Sequence, residues 1–147
     1  MNLQLSIQNP EGLSLPVDRP QIRRWVSSAL KAVEHSAPVH ANQLTLIFLG
    51  KDSAKSLNKQ FRKKDYATNV LTFELGNGLA DIVICLPVLQ AEAKVQKKTV
   101  ANHLAHLVVH GVLHAQGFDH IKAKAASEME AIETQVLHRF GISDPYN

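Results

Sequence analysis

The sequence predicts an α+β domain: a small mixed four-stranded sheet that includes a β-hairpin, packed against several α-helices. Three observations carry this. Apolar and polar residues alternate over Leu3, Leu5 and Ile7, and apolar runs at Leu44–Leu49 and Leu79–Leu86 close on glycine or proline, as strands do. Gly76-Asn77-Gly78 joins two strand-like runs as a tight turn. Elsewhere apolar residues recur at helical spacing, and the order strand, helix, strand, helix, hairpin, helices makes helices packed on a sheet the natural architecture. The 147 residues carry no repeat, no low-complexity tract and no dividing linker, so residues 1–147 are expected to form one domain.

The elements follow in order. After the opening strand, Pro10, Gly12 and Pro16 mark a loop, and Asp18 with Pro20 reads as a helix start. Ile22, Trp25, Val26, Ala29, Leu30 and Val33 form the core stripe of that helix. Leu44–Leu49, closed by Gly50, is a buried strand. Asp52 or Ser53 is expected to cap a short helix running to about Arg62. Val70–Leu75 and Leu79–Leu86 are the hairpin arms, and Pro87 ends the sheet. Residues 88–96 read as helical, and a longer helix runs from about Thr99 to Gln116. The last helix spans about Ala123 to Phe140, with Met129, Ile132, Val136 and Phe140 facing the core and Gly141 as its stop.

Composition narrows the class. Hydrophobic residues make up 45% and charged residues 20%, as in a soluble globular protein. A net charge of +3 permits an anionic partner without demanding one. Cys85 is the only cysteine and lies in an apolar run, so it reads as a small buried hydrophobe in a reducing compartment. The N-terminal MNLQLSIQNPEG lacks a basic region followed by an apolar one, as a signal peptide would have. The most apolar long segment, residues 99–116, carries four histidines and an asparagine and makes a poor membrane span. A cytoplasmic protein with no membrane partner is the expectation.

The stretch HGVLHAQGFDH, His110 to His120, is the most informative feature. His110 and His114 are four apart, one turn from each other on one helix face. Gly117 can take the left-handed conformation that ends a helix, and the chain can then return His120 to the same point. Three imidazoles and one open position make a catalytic zinc arrangement, at the end of a helix, with one Zn²⁺ per chain. The bland alternative, satisfied surface or core histidines, must crowd three imidazoles among Val108, Val109, Val112 and Leu113 without partners. His103 and His106 share the helical face, and spacing alone leaves His106 with His110 open as the metal pair. The glycine break and His120 favour the later pair, which leaves His103 and His106 structural or substrate-contacting. Asp119 could orient an imidazole as a carboxylate behind the ligand, or cap the following turn. The spacing H-x-x-x-H-x-x-G-x-x-H is also that of metzincin proteases, whose general-base Glu follows the first His. Here that position is Gly111, which moves peptide hydrolysis down the list.

A second constellation is NKQFRKKDYATNVLTF, residues 58–73. Arg62, Lys63 and Lys64 end a helix, with Lys55 and Lys59 on the preceding turns; for the lysines a solvated basic helix end is the plain reading. Lys59 and Lys63 are nevertheless candidates for guiding an anionic substrate. Arg62 is a candidate catalytic group, because a guanidinium holds a phosphate through two hydrogen bonds and stabilises developing charge. Thr68 and Asn69 offer short polar groups at the mouth of a strand, with Thr68 a candidate substrate contact.

These residues carry a resemblance over nearly the whole chain. HGVLHAQGFDH, with HLAHLVV before it and Met129 after it, resembles the YbeY family, bacterial metal-dependent endoribonucleases of rRNA maturation and ribosome quality control. NKQFRKKDYATNVLTF is similar to the family's second motif, an Asn and Arg followed by a Thr-Asp-Val-Leu-Ser-Phe stretch, and LADIVI resembles its Leu-Gly-Asp-Ile segment. The resemblance implies that His110, His114 and His120 are the metal ligands and that Arg62 is the arginine associated with activity. Asn69 stands where the family usually has Asp, Thr72 where it often has Ser, Ala80 for a common Gly and Phe118 for a common Tyr; none removes a ligand.

The leading expectation is therefore a single-strand-specific, metal-dependent endoribonuclease acting in rRNA processing, at the 3′ end of 16S rRNA, and in late ribosome quality control. Its partners would be RNA and ribosomal, small-subunit proteins. A zinc that lowers the pKa of its water to about 7 needs no protein base, which fits Gly111. His114 would serve both as ligand and in catalysis, with Arg62 stabilising charge on the phosphorus. A non-catalytic, zinc-stabilised ribosome assembly factor is the alternative, and a metalloprotease a more distant one.

Overall fold

In the computed structural model, which describes residues 2–146, the elements appear in the expected order. They are β1 (Gln4–Gln8), α1 (Arg19–Val33), β2 (Gln43–Leu49), α2 (Lys51–Arg62), β3 (Val70–Gly76), β4 (Leu79–Cys85), α3 (Leu86–Val95), α4 (Val100–Ala115) and α5 (Ala123–His138).

Local chemistry sets most boundaries. Asp18 caps α1 by accepting from Gln21 N at 2.9 Å, and Thr99 caps α4 by accepting from Asn102 N at 3.1 Å. The start of α2 corrects the expectation. Gly50 is its N-cap, and neither Asp52 nor Ser53 caps it. Glu11, from the loop after β1, supplies the negative charge instead: its carboxylate accepts from Gly50 N at 2.8 Å and from Ser53 Oγ at 3.1 Å. Pro87 does more than end the sheet, since it lies in the first turn of α3, where its missing N–H leaves no bond unmade. Lys63 closes α2 in the left-handed region, at φ 57°, a conformation usually left to glycine.

The sheet order is β1-β2-β4-β3, with β1, β2 and β4 parallel and β3 antiparallel to β4 through the hairpin. Ile7, Leu46, Ile82 and Thr72 form one rung across all four strands. Side chains alternate between faces, and each face has its own core. Leu44, Leu46, Phe48, Ala80, Ile82 and Ile84 pack with α1, α4 and α5 in the main core, where Trp25, Leu104, Val108, Met129 and Val136 are buried. Leu49, Leu71, Val83 and Cys85 face the other way, with Ala54 and Leu57 of α2 and Phe73 against them. The helices thus cover both faces of the sheet, and β3 is left as a free edge beside the end of α4.

Helix α4 reaches its place by close approach. A Cβ at Gly111 would lie 2.7 Å from Ile82 Cγ2 on β4, nearer than packed atoms tolerate. The glycine at this position is a packing requirement of helix against sheet, and no longer side chain fits there without displacing Ile82.

Candidate metal centre and active-site cleft

The end of α4 is built to return the chain. Phe118 N donates to Leu113 O at 3.1 Å and Gly117 N to His114 O at 2.9 Å, the paired bonds of a Schellman cap, with Gly117 at φ 91°. Gln116 is buried beside it: its Oε1 accepts from Ala41 N at 3.0 Å and its Nε2 donates to Ala41 O, which anchors the helix end to a distant loop. After this turn His120 faces the last turn of α4. The ring centroids lie 4.6 Å apart for His110 and His114, 4.7 Å for His114 and His120, and 5.3 Å for His110 and His120.

The three imidazoles each offer a nitrogen within 4.8 Å of the others, and His114 Nε2 is 2.8 Å from His120 Nδ1. A tetrahedral ion bound at about 2.0–2.1 Å separates its nitrogen ligands by about 3.3–3.4 Å. With one pair of nitrogens at 2.8 Å and all three within 4.8 Å, small ring rotations reach that separation, so the residues present fit a metal ion. Electrostatics agree. Burial, and then the charges that His110 and His120 would carry, hold His114 down at about 4, against a backbone hydrogen bond with Phe118 and the Glu133 carboxylate that act in the opposite direction. At neutral pH His114 therefore keeps a lone pair free for a metal.

Behind His110 stands a residue that sequence reasoning missed. Glu133 of α5 is fully buried, and His110 Nδ1 donates to its Oε2 at 2.7 Å. This fixes the His110 tautomer and leaves Nε2 as the donor atom for a metal, the carboxylate–histidine arrangement common behind metal ligands. Burial alone would raise the Glu133 pKa. The nearby His106, the hydrogen bond and charge of His110 and a hydrogen bond from Tyr146 more than reverse this and bring it to about 2. Tyr146 OH donates to Glu133 Oε1, lies 3.1 Å from His106 Nε2, and is pushed up by burial and by the carboxylate. The signal for Glu133 was its place four residues after Met129 and three before Val136, on the core face of α5.

The other sequence candidates divide. Asp119 takes the second of its two predicted roles: its Oδ1 accepts from Ile121 N at 2.7 Å and caps the turn, while the place behind a ligand belongs to Glu133. His103 is structural, buried and donating from Nε2 to Glu92 Oε1 at 2.9 Å. His106 also turns inward, toward Tyr146 and Glu133; with His110 and Glu133 it forms a second compact group, in which His110 Nδ1 is already engaged. Asn69 Nδ2 donates to both oxygens of Glu92, at 3.1 and 3.2 Å, a contact that an aspartate could not make without opposing two negative charges.

Along the free edge of β3 runs a cleft of about 740 Å³, with His110, His114 and His120 at one side and Phe61, Arg62, Thr68, Thr72 and Phe73 among its other walls. Arg62 is aimed across it by a hydrogen bond from Nη2 to Thr72 O at 2.9 Å and by its Cζ lying 5.7 Å from the Phe73 ring centroid. Buried Asn58 steadies the loop that follows by donating to Tyr66 O at 2.8 Å. Thr68 lines the cleft; Lys59 and Lys63 are exposed on α2 and do not.

The chain as a whole is similar to known proteins. The family described as Endoribonuclease YbeY matches residues 7–141. A Bordetella pertussis protein named Endoribonuclease YbeY is 48% identical over 99% of this chain and 98% of its own length. A Thiobacillus denitrificans protein of the same name is 44% identical over 99% and 97%. One from Cupriavidus metallidurans is 46% identical over 98% of this chain and 73% of its own length. A Thermotoga maritima protein solved in solution shares the fold, with a TM-score of 0.59 at 23% identity over 98% of this chain and 99% of that one. A histidine cluster that fits a metal, an arginine across the cleft and a match from strand β1 to the end of α5 lead to one conclusion: this chain belongs to the YbeY endoribonuclease family.

Proposed function

We infer that the protein is a metal-dependent endoribonuclease, a hydrolase of RNA phosphodiester bonds, acting in rRNA processing. The observation that carries this is the single cleft with two halves: three imidazoles gathered on one side, and an arginine held by a backbone carbonyl on the other.

The metal is proposed to be zinc, one per chain, held by His110, His114 and His120, because a set of three imidazoles suits zinc better than magnesium. Bound there, it supplies Lewis acidity toward a phosphate oxygen or a water. The chain supplies the rest. Glu133 holds His110 in one tautomer, and Gly117 delivers His120. Arg62 keeps donors free beyond its bond to Thr72, and these stabilise negative charge on the phosphate as the bond breaks. Thr68 contacts the strand in the cleft, and Lys59 and Lys63 act at longer range, as steering charges outside it. The cleft is open along a sheet edge, which suits single-stranded RNA, whose backbone and unstacked bases are accessible. Maturation of the 3′ end of 16S rRNA, late ribosome quality control, docking on small-subunit proteins and a cytoplasmic location complete the proposal. Among the described residues no helix is long and apolar enough to cross a membrane. The protease alternative loses ground, since the position of its base is the glycine that Ile82 crowds.

The test is cleavage of a labelled single-stranded RNA by wild type, His114→Ala and Arg62→Glu, with metal content measured on each. Activity is expected to fall by about 100-fold or more in both, with metal kept only in Arg62→Glu. Equal cleavage by all three would overturn the reading in favour of a zinc-stabilised assembly factor.

A further inference from the structure

We propose that Phe61 is a stacking platform for a nucleobase of single-stranded RNA, a subsite that seats one base beside the phosphate facing Arg62 and the histidines. The proposal rests on the ribonuclease reading and adds a residue that reading does not use.

Phe61 continues the stripe of α2 formed by Ala54, Leu57 and Asn58, but where Ala54 and Asn58 are buried Phe61 is 57% exposed. Phe73 and Leu57 are half-buried against the second core, whereas Phe61 stays exposed. What Phe61 does touch is Phe73, edge to face, with ring centroids 5.5 Å apart and planes at 70°. Phe73 in turn lies under the Arg62 guanidinium. One side of the Phe61 ring is thus braced, and the ring lines the same cleft as the three histidines. A braced aromatic face open to solvent next to a guanidinium matches the two parts of a nucleotide, a flat base and a phosphate. The exposed Lys59, Lys63 and Lys64 make this corner positive, which suits a polyanion over an apolar peptide. Stacking of this kind tolerates any base, because every base has a π-face. The site therefore assigns a chemical class, a nucleobase, and no sequence.

The experiment uses the full-length, metal-loaded protein and a short labelled single-stranded RNA, 2′-O-methylated and phosphorothioate-linked to resist cleavage. Phe61→Ala should weaken binding about 5- to 150-fold, the range of one lost base stack, and Phe61→Tyr should restore it. In Phe61→Trp, RNA should quench the new emission. The native Trp25, 3% exposed, stays unquenched as an internal reference. An abasic strand of the same length should bind wild type and Phe61→Ala equally. Unaltered RNA binding by Phe61→Ala, or an unquenched Phe61→Trp in a complex that forms, would overturn the platform while leaving the nuclease reading intact. If wild type neither binds nor cleaves single-stranded RNA, both fall together.

Discussion

Glu133 shows what one buried carboxylate does at a site made of neutral rings. It is charged and fully buried, a state proteins tolerate only when the charge is paired and hydrogen-bonded. Here His110 and Tyr146 each donate to one of its oxygens, with His106 close by. Its pKa falls from 4.5 to about 2 on folding, so below about 4.5 the unfolded chain takes up a proton that the folded chain refuses. The stability Glu133 contributes is therefore complete above that pH and drains away as the pH falls toward about 2. Glu133→Gln, compared with wild type as metal-stripped proteins in urea unfolding at several pH values, should lose about 1–3 kcal/mol at neutral pH and show a flatter acid limb. Its affinity for zinc, read by chelator competition, should fall about 10- to 100-fold. An unchanged zinc affinity would show that His110 needs no orienting partner.

At the level of elements, α4 decides the geometry of the cleft, because Gly111 lets it settle against β4 deeply enough to bring His110 and His114 beside the edge of β3. Gly111→Ala should destabilise the protein by about 1–3 kcal/mol, as overpacking does, and Ile82→Leu in the same chain, which removes the crowding Cγ2 because leucine is unbranched at Cβ, should recover part of the loss. Chemical denaturation of the single and double variants measures both, and additive effects would contradict the contact. The elements themselves were legible because their signals are periodic and local. Alternation marked β1, stripes marked α1 and α5, and the Gly76-Asn77-Gly78 turn marked the hairpin. The clustering of His110, His114 and His120 was legible for the same reason, being set by one helix and its stop. What stayed hidden depends on partners far away in sequence. Glu11 caps α2 across 39 residues, Glu92 joins Asn69 to His103, and Tyr146 reaches Glu133 from the tail. Glu133 escaped notice because a charge on an apolar stripe reads as a break in the stripe until the ring that needs it is placed.

Across the whole molecule, the core and the site are physically separate. The main core is assembled from sheet, α1, α4 and α5, and the three clustered imidazoles lie outside it, with His110 and His114 half-buried and His120 exposed. Removing metal by chelation should therefore leave the far-UV circular dichroism intact at room temperature, lower Tm by linkage, and raise hydrogen exchange only around residues 117–122. Collapse of the helical signal on chelation would mean that the metal holds the fold. The two-faced sheet has a related effect: α2, which carries Arg62, is fastened to the opposite face from α4, so the two walls of the cleft are fixed by different cores and are joined through β3, β4 and α3. The tail gives this a practical side. Tyr146 is tied into the hydrogen bonds behind His110, and Lys98 Nζ holds Pro145 O at 3.1 Å. Strain applied at Pro145 and Tyr146 would therefore pull directly on the scaffolding behind the histidine cluster, whereas the same strain at β1 would act on the strand farthest across the sheet from the cleft.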